Sequence, residues 1–190
     1  MPVQIGANAH TFTNPTGLLS DCHRRVEMFL GILEEVAVRI DRPITKDTGR
    51  GLETALRYFE RAAPKHTADE EESLFPRLRQ IDNPEIQSAL SRLEKLEEDH
   101  RWAAPLHSEV ERLGTQYLSG AELSDTEIAT FRDSVARLAC MYKQHIGIED
   151  ELIFPLAARL LPWVEKRAIA QEMAARRKVP LVVDMAGVNP

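Results

Sequence analysis

Residues 66–76 read His66-Thr67-Ala68-Asp69-Glu70-Glu71-Glu72-Ser73-Leu74-Phe75-Pro76. Residues 145–155 read His145-Ile146-Gly147-Ile148-Glu149-Asp150-Glu151-Leu152-Ile153-Phe154-Pro155. Both follow H-x-x-x-E-[DE]-E-x-[LI]-F-P. A single HxxxE arises in any acidic helix that contains a histidine. Two long copies sharing most of their fixed positions are a repeat. An i,i+4 pair projects from one helix face, so the His and Glu of each copy reach toward one point. Each copy also lies on an apolar stripe of helical period. One runs Leu52, Leu56, Phe59, Ala63, His66, Glu70, Leu74. The other runs Phe131, Val135, Leu138, Tyr142, His145, Glu149, Leu152, Leu156.

Two further stripes each carry a lone histidine in line with the repeats. The first is Leu19, His23, Val26, Leu30, Leu33, Ala37, Ile40. The third in chain order is Leu93, Leu96, His100, Ala103, His107, Val110, Gly114, Tyr117. The chain is thus two copies of one unit, a helix with one His followed by a helix with HxxxE. Local signals bound the helices. Arg42-Pro43 ends the first, Asn83-Pro84 starts the third, and Ser119-Gly120 ends it. Ser124 through Glu127 reads as a capping box for the fourth, and Pro162 opens a shorter fifth helix to about Arg177.

These signals predict an all-α protein, an up-down-up-down four-helix bundle over residues 15–161. Residues 1–14 form an N-terminal tail, and 162–190 a C-terminal helix and tail. In the fifth helix Trp163, Ile169 and Met173 are the expected packing positions. Pro64, Pro76, Pro105 and Pro155 fall within helical patterns and predict kinks. At roughly 1.5 Å per residue, the four histidines on antiparallel neighbours come to nearly one level.

Composition excludes several classes. The chain has 190 residues, with 24 Lys+Arg against 30 Asp+Glu and a net charge of −6. An acidic balance disfavours nucleic acid, whose phosphates need a basic face. No apolar run approaches the ~20 residues of a membrane helix. No signal-peptide pattern opens the sequence, and only Cys22 and Cys140 are present. Both features predict a cytoplasmic protein without a disulfide scaffold. One domain of this length buries roughly 70% of its unfolded surface and needs no cross-link.

His23, His66, Glu70, His100, His145 and Glu149 all fall on inward stripes. Polar groups there are costly unless paired or bound to metal. Imidazole suits iron, zinc, copper or nickel, and a carboxylate can bridge two cations. A metal-free His/Glu hydrogen-bond network is the simpler alternative, but it makes the repeat a coincidence. A ferritin-like site expects Glu-x-x-His, the reverse order.

The pattern H…HxxxE…H…HxxxE from about Gly17 to Leu161 resembles the haemerythrin-like HHE cation-binding family. That resemblance implies that the six residues ligate two iron ions in a non-haem, oxo-bridged di-iron centre. Four His and two Glu would also hold zinc or manganese. The centre would bind or react with O2, peroxide or NO, drawing on a protein redox partner the sequence does not name. The alternative is a non-catalytic metal-binding module that senses iron or oxygen. Oxygen-carrying members have a fifth His on the third helix and an Asp in the last motif. Here those positions are Ala104 and Glu149, which turns the expectation away from reversible oxygen carriage.

Three residues are candidates for supporting roles. His107 reads as an access-channel residue, or more simply as a core-edge histidine bonded to a carbonyl or a carboxylate. Tyr142 is positioned to donate to a bound small ligand, or is a packed Tyr with its hydroxyl satisfied; Glu27, one turn after His23, is an extra carboxylate or, more simply, an ordinary helix-surface Glu. The remaining acids of the two acidic runs read as a solvated face, Cys22 as a packed thiol and His10 as a solvent-facing tail residue.

Overall fold

The computed structural model describes residues 10–181. The described residues are helical apart from short connections, and there is no strand among them. Helix α1 spans Pro15–Arg39, α2 Lys46–Arg61, α3 Ala63–Ala68, α4 Phe75–Arg79, α5 Pro84–Leu118, α6 Asp125–Ile148, α7 Phe154–Leu160 and α8 Trp163–Arg177. Two wider π segments interrupt this order. The first, Asp69–Leu74, joins α3 to α4, and the second, Glu149–Ile153, joins α6 to α7.

The helices start where side chains satisfy their free amides. Asn14 accepts from Gly17 N, Thr45 from Thr48 N, and Asn83 from Glu85 N at 2.8 Å. Ser124 and Glu127 form a reciprocal capping box. The long helices close a ring: α1 packs on α2, α2 on α5, α5 on α6, and α6 back on α1.

The prolines act unequally. Pro64 sits just after a break at Ala62, so the expected second helix is two pieces. Pro76 and Pro155 cannot donate one turn back, and both follow π segments in which the hydrogen bond reaches one residue further. Phe75 N donates to Glu70 O, and Phe154 N to Glu149 O. Pro105 leaves α5 unbroken from Pro84 to Leu118. Its ring is exposed, and Arg101, whose carbonyl loses its donor, is also exposed to water.

The extra residue of the π turn shifts the inward face. Leu152, expected on the stripe, is 37% exposed, and Ile153 takes its place at 1%. Trp163 is also displaced from its expected packing role and stands 54% exposed, whereas Ile169 and Met173 are buried.

The core has two apolar clusters. One contains Val26, Leu33, Leu52, Leu113, Phe131 and Leu138, and the other Leu19, Leu74, Phe75, Leu93, Leu96 and Phe154. Each fully buried Leu or Phe contributes about 1.5–3 kcal/mol. Along α1 the order is Leu19, His23, Val26; along α5 it is Leu96, His100, Ala103. A polar layer therefore lies between the two clusters.

Candidate metal centre

That layer contains His23, His66, Glu70, His145 and Glu149, all buried, with His100 almost so. All six residues proposed from the repeat meet there. Their Nε2 atoms turn toward the two carboxylates. His66 Nε2 is 3.1 Å from Glu70 Oε1, and His145 Nε2 is 3.2 Å from Glu149 Oε2. His23 Nε2 is 3.1 Å from Glu149 Oε2 and 3.8 Å from Glu70 Oε1. His100 Nε2 is 3.6 Å from Glu70 Oε2 and 3.1 Å from His145 Nε2. Glu70 belongs to both sets of mutually close donor atoms, one with His23, His66 and Glu149, the other with His100 and His145.

This convergence tests whether the residues fit a metal. His23 Nε2 and all four carboxylate oxygens are buried without a hydrogen-bond partner. Buried polar groups are normally satisfied, and leaving one unmade costs about 1–3 kcal/mol. Imidazole nitrogen and carboxylate oxygen together are a donor set for divalent transition metals. The residues fit a cation.

Two acids of the supposed solvated face hold the imidazoles from behind. His23 Nδ1 donates to Asp150 Oδ1 at 2.9 Å, and His100 Nδ1 to Glu71 Oε1 at 2.7 Å. A carboxylate can only accept, so each ring carries a proton on Nδ1 and turns Nε2 inward. Ser20 donates to the same Asp150 oxygen at 2.8 Å, and Arg24 pairs with the other. The support crosses between the repeats. Glu71 of the first copy holds the lone His of the second unit, and Asp150 of the second copy holds the lone His of the first. The sequence signal was the [DE] shared at this position. The other two imidazoles have no such hydrogen bond: His66 Nδ1 and His145 Nδ1 are both buried without a partner, and Asp99 Oδ2 stands 3.6 Å from the latter.

Burial and mutual charge set the protonation states. Burial, then the Glu149 charge, pushes Glu70 up to about 8. Burial works against the Glu149 charge too, but His145 and His23 hold it well below the usual carboxylate range. Burial lowers His66 and His100, reinforced by the neighbouring imidazoles. His23 and His145 are raised despite burial, His23 first by Asp150 and His145 first by Glu149.

The supporting candidates divide. Tyr142 lines a cavity of about 10 Å3 beside all four histidines, room for about one water-sized molecule. Its hydroxyl meets His107 Nε2 at 2.9 Å. His107 in turn lines a separate hollow of about 40 Å3 with Leu56, Phe59, Glu60, Val110 and Glu111. Glu27 does not join the site. It is 47% exposed and pairs with Arg24 at 2.9 Å, because it points off the inward stripe. His10 is partly exposed, and its Nδ1 lies 3.2 Å from Asp21 Oδ1. Cys22 is buried, with Arg25 donating to its sulfur at 3.0 Å.

Comparison with known proteins matches residues 14–157 to the family model described as the hemerythrin HHE cation binding domain. An uncharacterized protein of Haemophilus influenzae is 28% identical over 172 residues, covering 89% of this chain and 93% of its own length.

Proposed function

This chain belongs to the hemerythrin HHE cation-binding family, and from that premise we propose that its six-residue cluster holds two iron ions and binds or reacts with O2, peroxide or NO. One observation carries the reading: four inward Nε2 atoms face two carboxylates whose oxygens have no hydrogen bond. The six residues would hold the two irons, His23 and His66 falling in one set of mutually close donor atoms, His100 and His145 in the other, and Glu70 in both. The ring of long helices supports an up-down-up-down bundle as the frame.

When bound, the metal pair supplies redox capacity and open coordination positions for a small ligand. The chain's own residues do the rest. Asp150 and Glu71 fix two imidazoles in the metal-binding tautomer. Phe154 stacks on His23 with ring centroids 5.1 Å apart and holds its plane. The small cavity beside the four histidines, with room for about one water-sized molecule, favours a small ligand over a large substrate. Tyr142 lines the cavity, and His107 holds its hydroxyl at 2.9 Å. Two free thiols among the described residues accord with a cytoplasmic setting.

Reconstitution with ferrous iron under anaerobic conditions tests the reading. About two irons per chain and a visible absorption band on air exposure are expected. Less than about one iron, with no such band, would overturn it. Glu149→Ala should lose iron, whereas Glu151→Ala, at an exposed position one step beyond Asp150, should keep it. Equal iron content in the two variants would place Glu149 outside the site.

The same unpartnered buried atoms also favour a second reading, a metal-dependent sensing module without turnover. A cation that satisfies them stabilises the fold whether or not it reacts. Peroxide consumption by the iron-loaded protein separates the two.

A further inference from the structure

Helix α8 lies beyond the matched region, which ends at residue 157. It packs on α1, α3 and the first π segment. Asp69, immediately before Glu70, is fully buried. Its two oxygens are taken by two α8 guanidinium groups, Arg176 Nη1 at 2.9 Å and Arg177 Nη2 at 2.6 Å. Arg176 also donates to Ser73 Oγ at 2.9 Å. The Arg177 guanidinium reaches Cys22, immediately before His23. Arg77, after the π segment, closes the attachment with Glu165 and Glu172 of α8, each at 2.8 Å.

The second half lacks this device. The position equivalent to Asp69 is Ile148, and the one equivalent to Cys22 is Asp99. Adjacent residues on a helix point about 100° apart, so fixing Asp69 toward α8 fixes Glu70 toward the cluster. The π segment is the weak point of this helix, because it can relax to ordinary α-helical phase.

We propose that α8 is a positioning element for one of the two cation positions. Arg176 and Arg177, acting through Asp69, hold Glu70 toward His23 and His66. The inference rests on the reading that the cluster binds two cations. Glu70 belongs to both sets of donor atoms, but it lies nearer His66, at 3.1 Å, than His100, at 3.6 Å, and His145 also has Glu149 at 3.2 Å, so the attachment acts first on the His23/His66 position.

Cobalt(II) titrated calorimetrically into the metal-free, full-length protein tests it. The wild type should bind two equivalents. In Asp69→Asn, and in Arg176→Gln with Arg177→Gln, one equivalent should weaken about tenfold or more, and by clearly more than the other. Arg177→Lys, which keeps the charge on Asp69, should retain both. Circular dichroism of each variant establishes that it is folded, and Asp69→Asn, nearly isosteric, serves if the double variant is not. Two unchanged equivalents would overturn the proposal. So would equal weakening of both, which would give α8 no preference for the His23/His66 position. A wild type that binds no cobalt would remove the premise and the inference together, whereas a two-site wild type with indifferent variants removes the inference alone.

Discussion

Asp150 accepts from His23 Nδ1, from Ser20 and from Arg24, so its charge fixes one imidazole from three sides. Asp150→Asn keeps the shape but removes the charge, and Glu71→Gln does the same behind His100. Each should weaken iron binding by about 10–100-fold without unfolding the protein. A titration showing wild-type affinity in both would contradict the support seen here. His107 makes a different kind of prediction. Burial pushes its pKa down to about 4, so the unfolded chain takes up the proton first as pH falls below about 6.5. Its contribution to stability is present above that pH and is lost on the way down to about 4. At pH 5 the loss is about 2 kcal/mol. His107→Gln cannot titrate and still reaches Tyr142. It should narrow the stability difference between pH 7 and pH 5 by about that amount in denaturant unfolding. Identical differences in both proteins would show that His107 is not neutral and buried in solution.

The helix starts were legible because caps are local. Asn83, Pro84, Ser124 and Glu127 act within one turn of themselves, and the structure has each in that role. The π segments were not legible, because a stripe drawn at 3.6 residues per turn cannot announce an added residue. The added residue moved the inward position from Leu152 to Ile153. Pro155 and Pro76 were visible signals, but a missing donor predicts only that the helix changes, not how. The π turn has a testable consequence. Deleting Leu152, an exposed residue inside it, returns the stretch to α-helical phase. Helix content by circular dichroism should be unchanged. Asp150 should swing away from His23, and iron affinity should fall about tenfold or more. Retained affinity would mean that the π turn has no part in placing the site.

Across the whole molecule, the polar layer divides the core into two apolar clusters, so the fold is weakest at its middle without a cation. At a free metal concentration a thousandfold above the dissociation constant, binding adds about 4 kcal/mol. That is about 8–16 °C in melting temperature for a chain of this size. Chelation should lower the melting temperature accordingly, and a melt indifferent to chelator would count against a metal centre. The four inward histidines and two glutamates were legible in the sequence because the repeat aligns them. Their partners were not. Glu71, Asp150 and Asp69 sit in acidic runs that look like ordinary solvated surface, and only distant helices give them work: α5, α1 and α8. The exchange of Asp150 and Glu71 between the units has one further consequence. It is the arrangement of an isologous dimer, in which residue i of one copy meets residue j of the other and the reverse, here with the two copies joined in a single chain. A lesion in one half is therefore expressed in the other, and neither half carries a complete set of supports for its own histidines.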